Sequence, residues 1–426
     1  MKITNAKCRY IPEKLKAPFG FKGGFLSELW QVVCRVESVS NYGTGLGVQS
    51  VLWSDAAVFT SNSEEQGNLY MYEVTQYAVS LLEGIDGETP IDIIDKIYPQ
   101  VLFYAKNHTN VKEALRETFV RNALVAVDNA LWQLYAREEG KTSLVDLVPA
   151  EYKSALSQRH KKLCNIPLIS YGVSHEQIEK LLLNGVAILK IKIGFDDGGK
   201  MSKDDMLSWD KNRLLFIHSI AKKYRTDYTE SGKILYYLDA NGRYDSLKRV
   251  VSLLEYAKEI GALENIVLLE EPFDEDEKID VSSLPVRVAA DESVHSLSDV
   301  SERLDLGYKA IALKPIAKTL SETLKILSLA DGKGAVCFCA DLTVNPVLVE
   351  WNKNVAALIK TLPELKIGLV ESNGEQNYAE WDRLLDYHPY KKELFAQNNS
   401  GIYNLDDKFY SVSGGIFNPL EYYDEF

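Results

Sequence analysis

The chain contains no run of about 18 apolar residues, the length a membrane-spanning helix requires. Its opening, Met1-Lys-Ile-Thr-Asn-Ala-Lys-Cys-Arg-Tyr10, lacks an apolar core of signal-peptide length, so a cytoplasmic location is expected and a membrane partner is not. Basic residues are in deficit: 48 Lys and Arg stand against 61 Asp and Glu, a net charge of −13. That balance argues against nucleic acid as a partner and makes a small molecule the expected one. Cysteines are few and odd in number (Cys8, Cys34, Cys164, Cys337, Cys339), and none pair at metal-site spacing, so free thiols in a reducing compartment are expected. Cys337 and Cys339 sit two apart in an apolar strand and serve there as small hydrophobes. None of the six histidines has a spacing partner; His295, four residues past Asp291, is the one expected near a site. A dinucleotide fingerprint is also missing, because the glycines of Gly43-Thr-Gly-Leu-Gly47 have the wrong spacing and no helix after them. They read instead as a turn over 41–47 joining strands at 29–37 and 48–53.

What is present is a rhythm of short apolar strands and helices. At 426 residues the chain can hold a barrel of about 250 residues with an appended domain. The first part reads as an α+β unit ending near an amphipathic helix over 122–139, with Leu124, Val127, Leu131, Leu134 and Tyr135 at helical spacing and Gly140 as its C-cap. Eight strands follow, at 166–171, 188–193, 234–239, 266–270, 286–291, 310–314, 335–339 and 367–371. Helices separate them, for example over 247–260, and the long polar connection after Gly194 ends in a helix over 213–224. Eight is the number that closes a parallel barrel, so an α/β barrel is expected.

The strands carry charge at one end. In Ile188-Leu-Lys-Ile-Lys-Ile-Gly194, side-chain alternation puts Lys190 and Lys192 on one face, opposite Leu189, Ile191 and Ile193. Asp239, Glu270, Asp291 and Lys314 then close four later strands, at the rim where such barrels build their sites. Three carboxylates gathered there would repel one another unless a cation sat between them, and oxygen ligands favour Mg²⁺ or Mn²⁺ over zinc. Lys190 and Lys192 belong to the second strand and Lys314 to the sixth, opposite sides of a closed barrel. Amines so placed could move protons on either face of one carbon. The segments 18–25 and 52–61, with aromatics set among glycine and polar residues, are expected as loops over this rim. Phe21, Lys22, Trp53 and Glu371 are candidate substrate contacts.

These motifs resemble the enolase superfamily, in its mandelate racemase/muconate lactonizing enzyme branch. The matching residues are Lys190-Ile-Lys192, Asp239-Ala-Asn241, Glu270-Glu-Pro272, Asp291-Glu-Ser293, Ala312-Leu-Lys314 and the helix Ala126-Val-Asp-Asn-Ala-Leu-Trp132. The resemblance implies a modified TIM barrel, (β/α)7β, over 126–372, capped by an α+β unit over 1–125 and a tail over 373–426. It implies Mg²⁺ on Asp239, Glu270 and Asp291, Lys192 as the base, Lys314 on the opposite face and Lys190 as an electrostatic helper. Asn241 and Glu292 would stand behind the ligands. The implied substrate is a carboxylate that loses its α-proton to give an enediolate, the chemistry for which this superfamily is a worked example. Lysine must be partly neutral to act as a base, and a neighbouring ammonium, a cation and desolvation all lower its pKa. The expected reaction is racemisation or epimerisation. Lyase chemistry (cycloisomerisation or syn-dehydration) is the alternative, and a carboxylate-binding protein without catalysis is a lesser one.

Three departures matter. Thr319-Leu320 stands where the family places a Gly-Gly pair; Cys339-Ala-Asp341 has no histidine, which argues against a histidine–aspartate pair; and Glu371-Ser-Asn373 lacks the Asp-x-Asp of dipeptide epimerases. Whether identical chains associate into a homo-oligomer stays open at this level.

Overall fold

The computed structural model describes residues 1–21, 24–109, 111, 115–196 and 199–425. Three long strands open the chain: β1 (Asn5–Phe21), β2 (Gly24–Glu37) and β3 (Tyr42–Gln49), paired antiparallel in the order β1-β2-β3. The glycine-rich stretch is therefore strand rather than turn, and the hairpin reverses at Ser38, whose N–H donates to the Asn41 carbonyl at 2.9 Å. The reason is packing. A Cβ on Gly45 would lie 2.2 Å from both the Ala126 carbonyl oxygen and the Ala130 nitrogen, so alternate glycines let the helix Val125–Glu139 rest on the backbone of β3. The expected return strand over 48–53 is replaced past Gln49 by a short helix, Val51–Ser54.

The helix expected over 122–139 is two helices, Glu117–Ala123 and Val125–Glu139, and the second ends on Gly140 at φ 64° as its sequence requires. Asp128 explains part of the motif around it. Its carboxylate accepts from the Ser321 N–H at 3.1 Å and from the Ser321 hydroxyl at 2.5 Å, docking this helix on the start of the helix Leu320–Gly332.

The second sheet contains β4 (Lys162–Ile166), β5 (Leu168–Ile169), β6 (Ile188–Lys192), β7 (Leu235–Asp239), β8 (Ile266–Glu270), β9 (Val288–Ala290), β10 (Ala310–Leu313), β11 (Val336–Cys339), β12 (Gly368–Glu371) and β13 (Ile402–Asn404). From β5 to β12 through β6, β7, β8, β9, β10 and β11 every pairing is parallel. The first barrel strand differs from the expected 166–171. It begins at Lys162 and is broken at Pro167, which has no N–H for the ladder. β4 pairs with β12 and β5 with β6, so the broken strand joins both sides of the curled sheet. Inside, Ile166, Ile188, Leu235, Tyr237, Leu268, Phe338 and Leu369 form a packed plug, which leaves the C-terminal strand ends as the open mouth.

The helix expected over 213–224 spans Lys203–Ala221, because Ser202 caps it and Asp204 and Asp205 occupy its first turn. The tail past Glu371 reaches both units. Arg383 pairs with Glu13 on β1, the Tyr378 hydroxyl accepts from Gln31 at 3.0 Å, and β13 adds antiparallel to β4. Among the described residues no helix is long and apolar enough to cross a membrane, and all five cysteines are free thiols.

Gly45→Ala should cost about 3 kcal/mol, because the new methyl has only backbone to displace. Gly332→Ala, with nothing within 4 Å of its Cβ, should be neutral or stabilising by up to about 1 kcal/mol. Denaturant midpoints of the two variants test this, and a Gly45→Ala protein as stable as the parent would contradict the close-packing account.

Candidate active site

The barrel mouth is a cavity roofed by the first sheet. Asp239, Glu270, Asp291, Glu292, Asp341 and Glu371 line it together with Lys190, Lys192 and Lys314. A fourth ammonium, Lys318, lies just beneath and donates to the Asp291 carbonyl at 2.8 Å. Six carboxylates thus face four ammonium groups in a nearly dry space.

Lys190, 4 % exposed, holds the centre. Its Nζ lies 3.1 Å from Asp239, 3.2 Å from Glu270 and 3.1 Å from Glu371. Burial alone would lower its pKa, but these carboxylates outweigh burial and keep it protonated. Lys192 reaches the same Asp239 oxygen at 2.7 Å and also donates to the Asn241 side-chain oxygen Oδ1. Against the upward push of burial, the two lysines hold Asp239 well below the usual carboxylate range. On the opposite side Lys314 contacts Asp291 at 2.5 Å. Burial opposes its charge, yet Asp291, Glu292 and Glu270 raise its pKa. Trp53, brought in by the helix Val51–Ser54, covers Lys314 with its ring centroid at 4.1 Å.

The strand ends expected to converge do so. Lys192 on β6 pairs in register with Asp239 on β7, which pairs with Glu270 on β8. Asn241 links two groups, accepting from Lys192 and donating to Glu292 at 2.9 Å. Glu371 is buried and engaged by Lys190 and by the Asp341 N–H at 3.2 Å. Lys22 lies outside the described residues, as does the side chain of Phe21. His295 is not on the cavity wall; it ties the two units, with Nδ1 2.6 Å from the Thr118 hydroxyl and Nε2 3.1 Å from Glu275. Lys318 and Asp341 are site residues the sequence reading passed over. Asp341 carried the same signal as the others, an acid just beyond an apolar strand.

The donor set fits a hard divalent cation. Glu270, Asp291 and Glu292 each offer an oxygen within 4.8 Å of the others, all buried. Asp291 Oδ1 has no hydrogen-bond partner among the described residues. Asp239, the remaining expected ligand, stands beside this group on its two lysines. Burial, with Asp291 and Glu292 nearby, pushes Glu270 up to about 8 despite Lys190, so the acids cannot all be ionised without a further positive charge.

The loops leaving the strands are strained to aim these groups. Asn241 (φ 44°), Glu271 (φ 38°), Thr319 (φ 69°) and Thr343 (φ 59°) occupy the left-handed region without being glycine. At Thr319, where the resembled family has glycine, the side chain caps the next helix by accepting from the Glu322 N–H at 3.1 Å.

No protein-family model and no curated protein sequence matches the chain. Solved structures do. A mandelate racemase/muconate lactonizing protein from Herpetosiphon aurantiacus superposes with a TM-score of 0.66 at 18% identity, over 95% of this chain and 96% of that one. The L-Ala-D/L-Glu epimerase from Bacillus subtilis gives 0.63 at 20% identity, over 89% and 92%. A dipeptide epimerase from Cytophaga hutchinsonii, complexed with Mg and the dipeptide D-Ala-L-Val, gives 0.62 at 18%, over 89% of each chain. The fold is that of the mandelate racemase/muconate lactonizing proteins of the enolase superfamily.

Because Glu270 holds a proton below about pH 8, cation binding at pH 7 should release about one proton. Apparent Mg²⁺ affinity should then fall as pH drops from 8 to 6, by up to about tenfold per unit. Calorimetry in buffers of different ionisation heat reads the proton count, and binding without proton release would contradict this assignment.

Proposed function

We propose that the chain is a Mg²⁺-dependent racemase or epimerase that removes and returns the proton α to a substrate carboxylate. The observation that carries this reading is a lysine at either side of the acid cluster, Lys192 from β6 on Asp239 and Lys314 just past β10 on Asp291. A site that only bound carboxylates would need charge but not amines on two sides of one carbon.

Glu270, Asp291 and Glu292 would hold the cation, with Asp239 as the fourth carboxylate of the mouth. Mn²⁺ suits the same oxygen donors. A bound dication would supply charge stabilisation for the substrate carboxylate as its α-carbon loses a proton to give the enediolate. Lys192 takes the proton on one face and Lys314 delivers one on the other; the reverse turnover exchanges their roles. Lys190 keeps Asp239, Glu270 and Glu371 in place and adds a positive field beside Lys192. Trp53 and the roof exclude water, which strengthens these interactions. The fold similarity to an L-Ala-D/L-Glu epimerase is consistent with this chemistry.

The test is α-hydrogen exchange in D₂O, followed by proton NMR over a panel of N-acyl amino acids, dipeptides and other 2-substituted carboxylates with Mg²⁺ present. Deuterium should enter both stereoisomers of a good substrate. Lys192→Ala should slow exchange of one stereoisomer by about a thousandfold while the other still exchanges, and Lys314→Ala should do the converse. Undiminished exchange in both variants refutes the two-lysine mechanism, and accumulation of an unsaturated or cyclised product would assign the lyase chemistry instead.

A further inference from the structure

Beyond the lysines and the cation-binding acids, one group on the cavity wall has no use so far. Asp341 lies two residues past β11, is 7% exposed and lines the cavity. Its Oδ2 accepts from the Asn373 N–H at 2.6 Å, but its Oδ1 is buried with no hydrogen-bond partner among the described residues. A buried carboxylate oxygen left without a donor is costly and uncommon. The neighbouring polar groups do not relieve it. Thr343 donates to Asn373 Oδ1 at 2.7 Å, and Glu371 is taken by Lys190 and by the Asp341 N–H. Asp341 is also not one of the acids that cluster for the cation.

The surroundings say what could satisfy it. The rest of the wall is largely apolar, with Leu15, Leu26, Leu29, Trp53, Leu168 and Leu342 around the mouth. A ligand entering between these groups would have its carboxylate drawn to the lysine and cation side, while β11 and β12 present acceptors. We propose that Asp341 is a substrate-binding residue that accepts a hydrogen bond from an N–H donor of the substrate, an ammonium or an amide, so that the preferred substrates are carboxylates carrying such a donor and an apolar group. This rests on the reading of the cavity as an α-proton-transfer site. The raised pKa of Asp341, about 7 through burial and the adjacent Glu371, fits an anion that lacks its counter-group.

The experiment is calorimetric binding to the full-length protein with Mg²⁺, using three probes of nearly one shape. L-alanyl-L-leucine offers an ammonium and an amide, N-propionyl-L-leucine an amide only, and the O-propionyl ester of leucic acid neither. The parent protein should bind at least one N–H-bearing probe about tenfold more tightly than the ester. Preference for the dipeptide alone assigns the ammonium; equal binding of the first two assigns the amide. In Asp341→Leu the ratio should shrink to within about twofold while ester and Mg²⁺ affinities hold. Equal binding of all three probes by the parent, no binding of any, or a ratio preserved in Asp341→Leu would overturn the assignment. The parent's own ratios decide the matter even if the variant does not fold. Exchange in D₂O with the same probes separates the two claims. Exchange without N–H discrimination sinks only the role of Asp341, whereas discrimination without exchange sinks only the proton-transfer reading.

Discussion

The barrel mouth is organised by a mismatch of buried charge. Lys190 touches three carboxylates, from β7, β8 and β12, and no single ammonium can neutralise all three. Each ion is tolerable there only because the others are present: removing one would leave buried charge uncompensated, the most expensive fault a core can contain. Yet four lysines do not balance six acids. Burial, with the neighbouring acids behind it, raises Glu270 and Asp341, so a small cation or a donor group would relieve the site. Structure and proposed chemistry thus draw on one electrostatic quantity.

That charge is kept in register by backbone as well as by pairing. Asn241, Glu271, Thr319 and Thr343 hold left-handed conformations in the loops that leave the strands. Such strain costs on the order of 1–3 kcal/mol per residue and persists only where local bonds over-determine it. Here they do. The Asn241 N–H donates to Asp239 Oδ1 at 3.1 Å, Glu271 Oε2 accepts from the Asp291 N–H at 2.8 Å, and Thr319 caps its helix. The turns are therefore fastened by the same acids they position. The chain shares its fold with a solved structure to which it is 18% identical.

The first sheet is more than a lid. Its Leu15, Leu26 and Leu29, with Trp53 from the helix that follows, supply much of the apolar wall of the cavity, and Gln31 on β2 accepts from the Asn345 side chain of the barrel at 2.7 Å. The bare backbone of β3, opened by its glycines, brings the helix Val125–Glu139 close enough for Asp128 to reach Ser321. Roof and barrel share this helix, so the height of the cavity depends on glycines that do not line it.

Much of this was legible in the chain. Alternating lysines in an apolar strand and acids at successive strand ends are local patterns with a local cause, since side-chain direction in a strand follows from its period of two. The barrel, its order and the meeting of Lys192, Asp239, Glu270, Asp291 and Lys314 could be read from them. The reading failed where local preference was overruled. Glycines that signal a turn became a strand because a helix needed to touch it, and a capped helix start at Ser202 was hidden in a polar run. Glu371, a candidate substrate contact in the sequence, does line the cavity, but its ion pair with Lys190, 181 positions away, has no local signal. The sequence alone determined which side chains share a strand face and which strands end in charge, because those depend on neighbours in the chain. Tertiary structure alone decided which charges neutralise one another and which, like Asp341 Oδ1, are left over, because that balance is set by distances through a buried space between segments far apart in sequence.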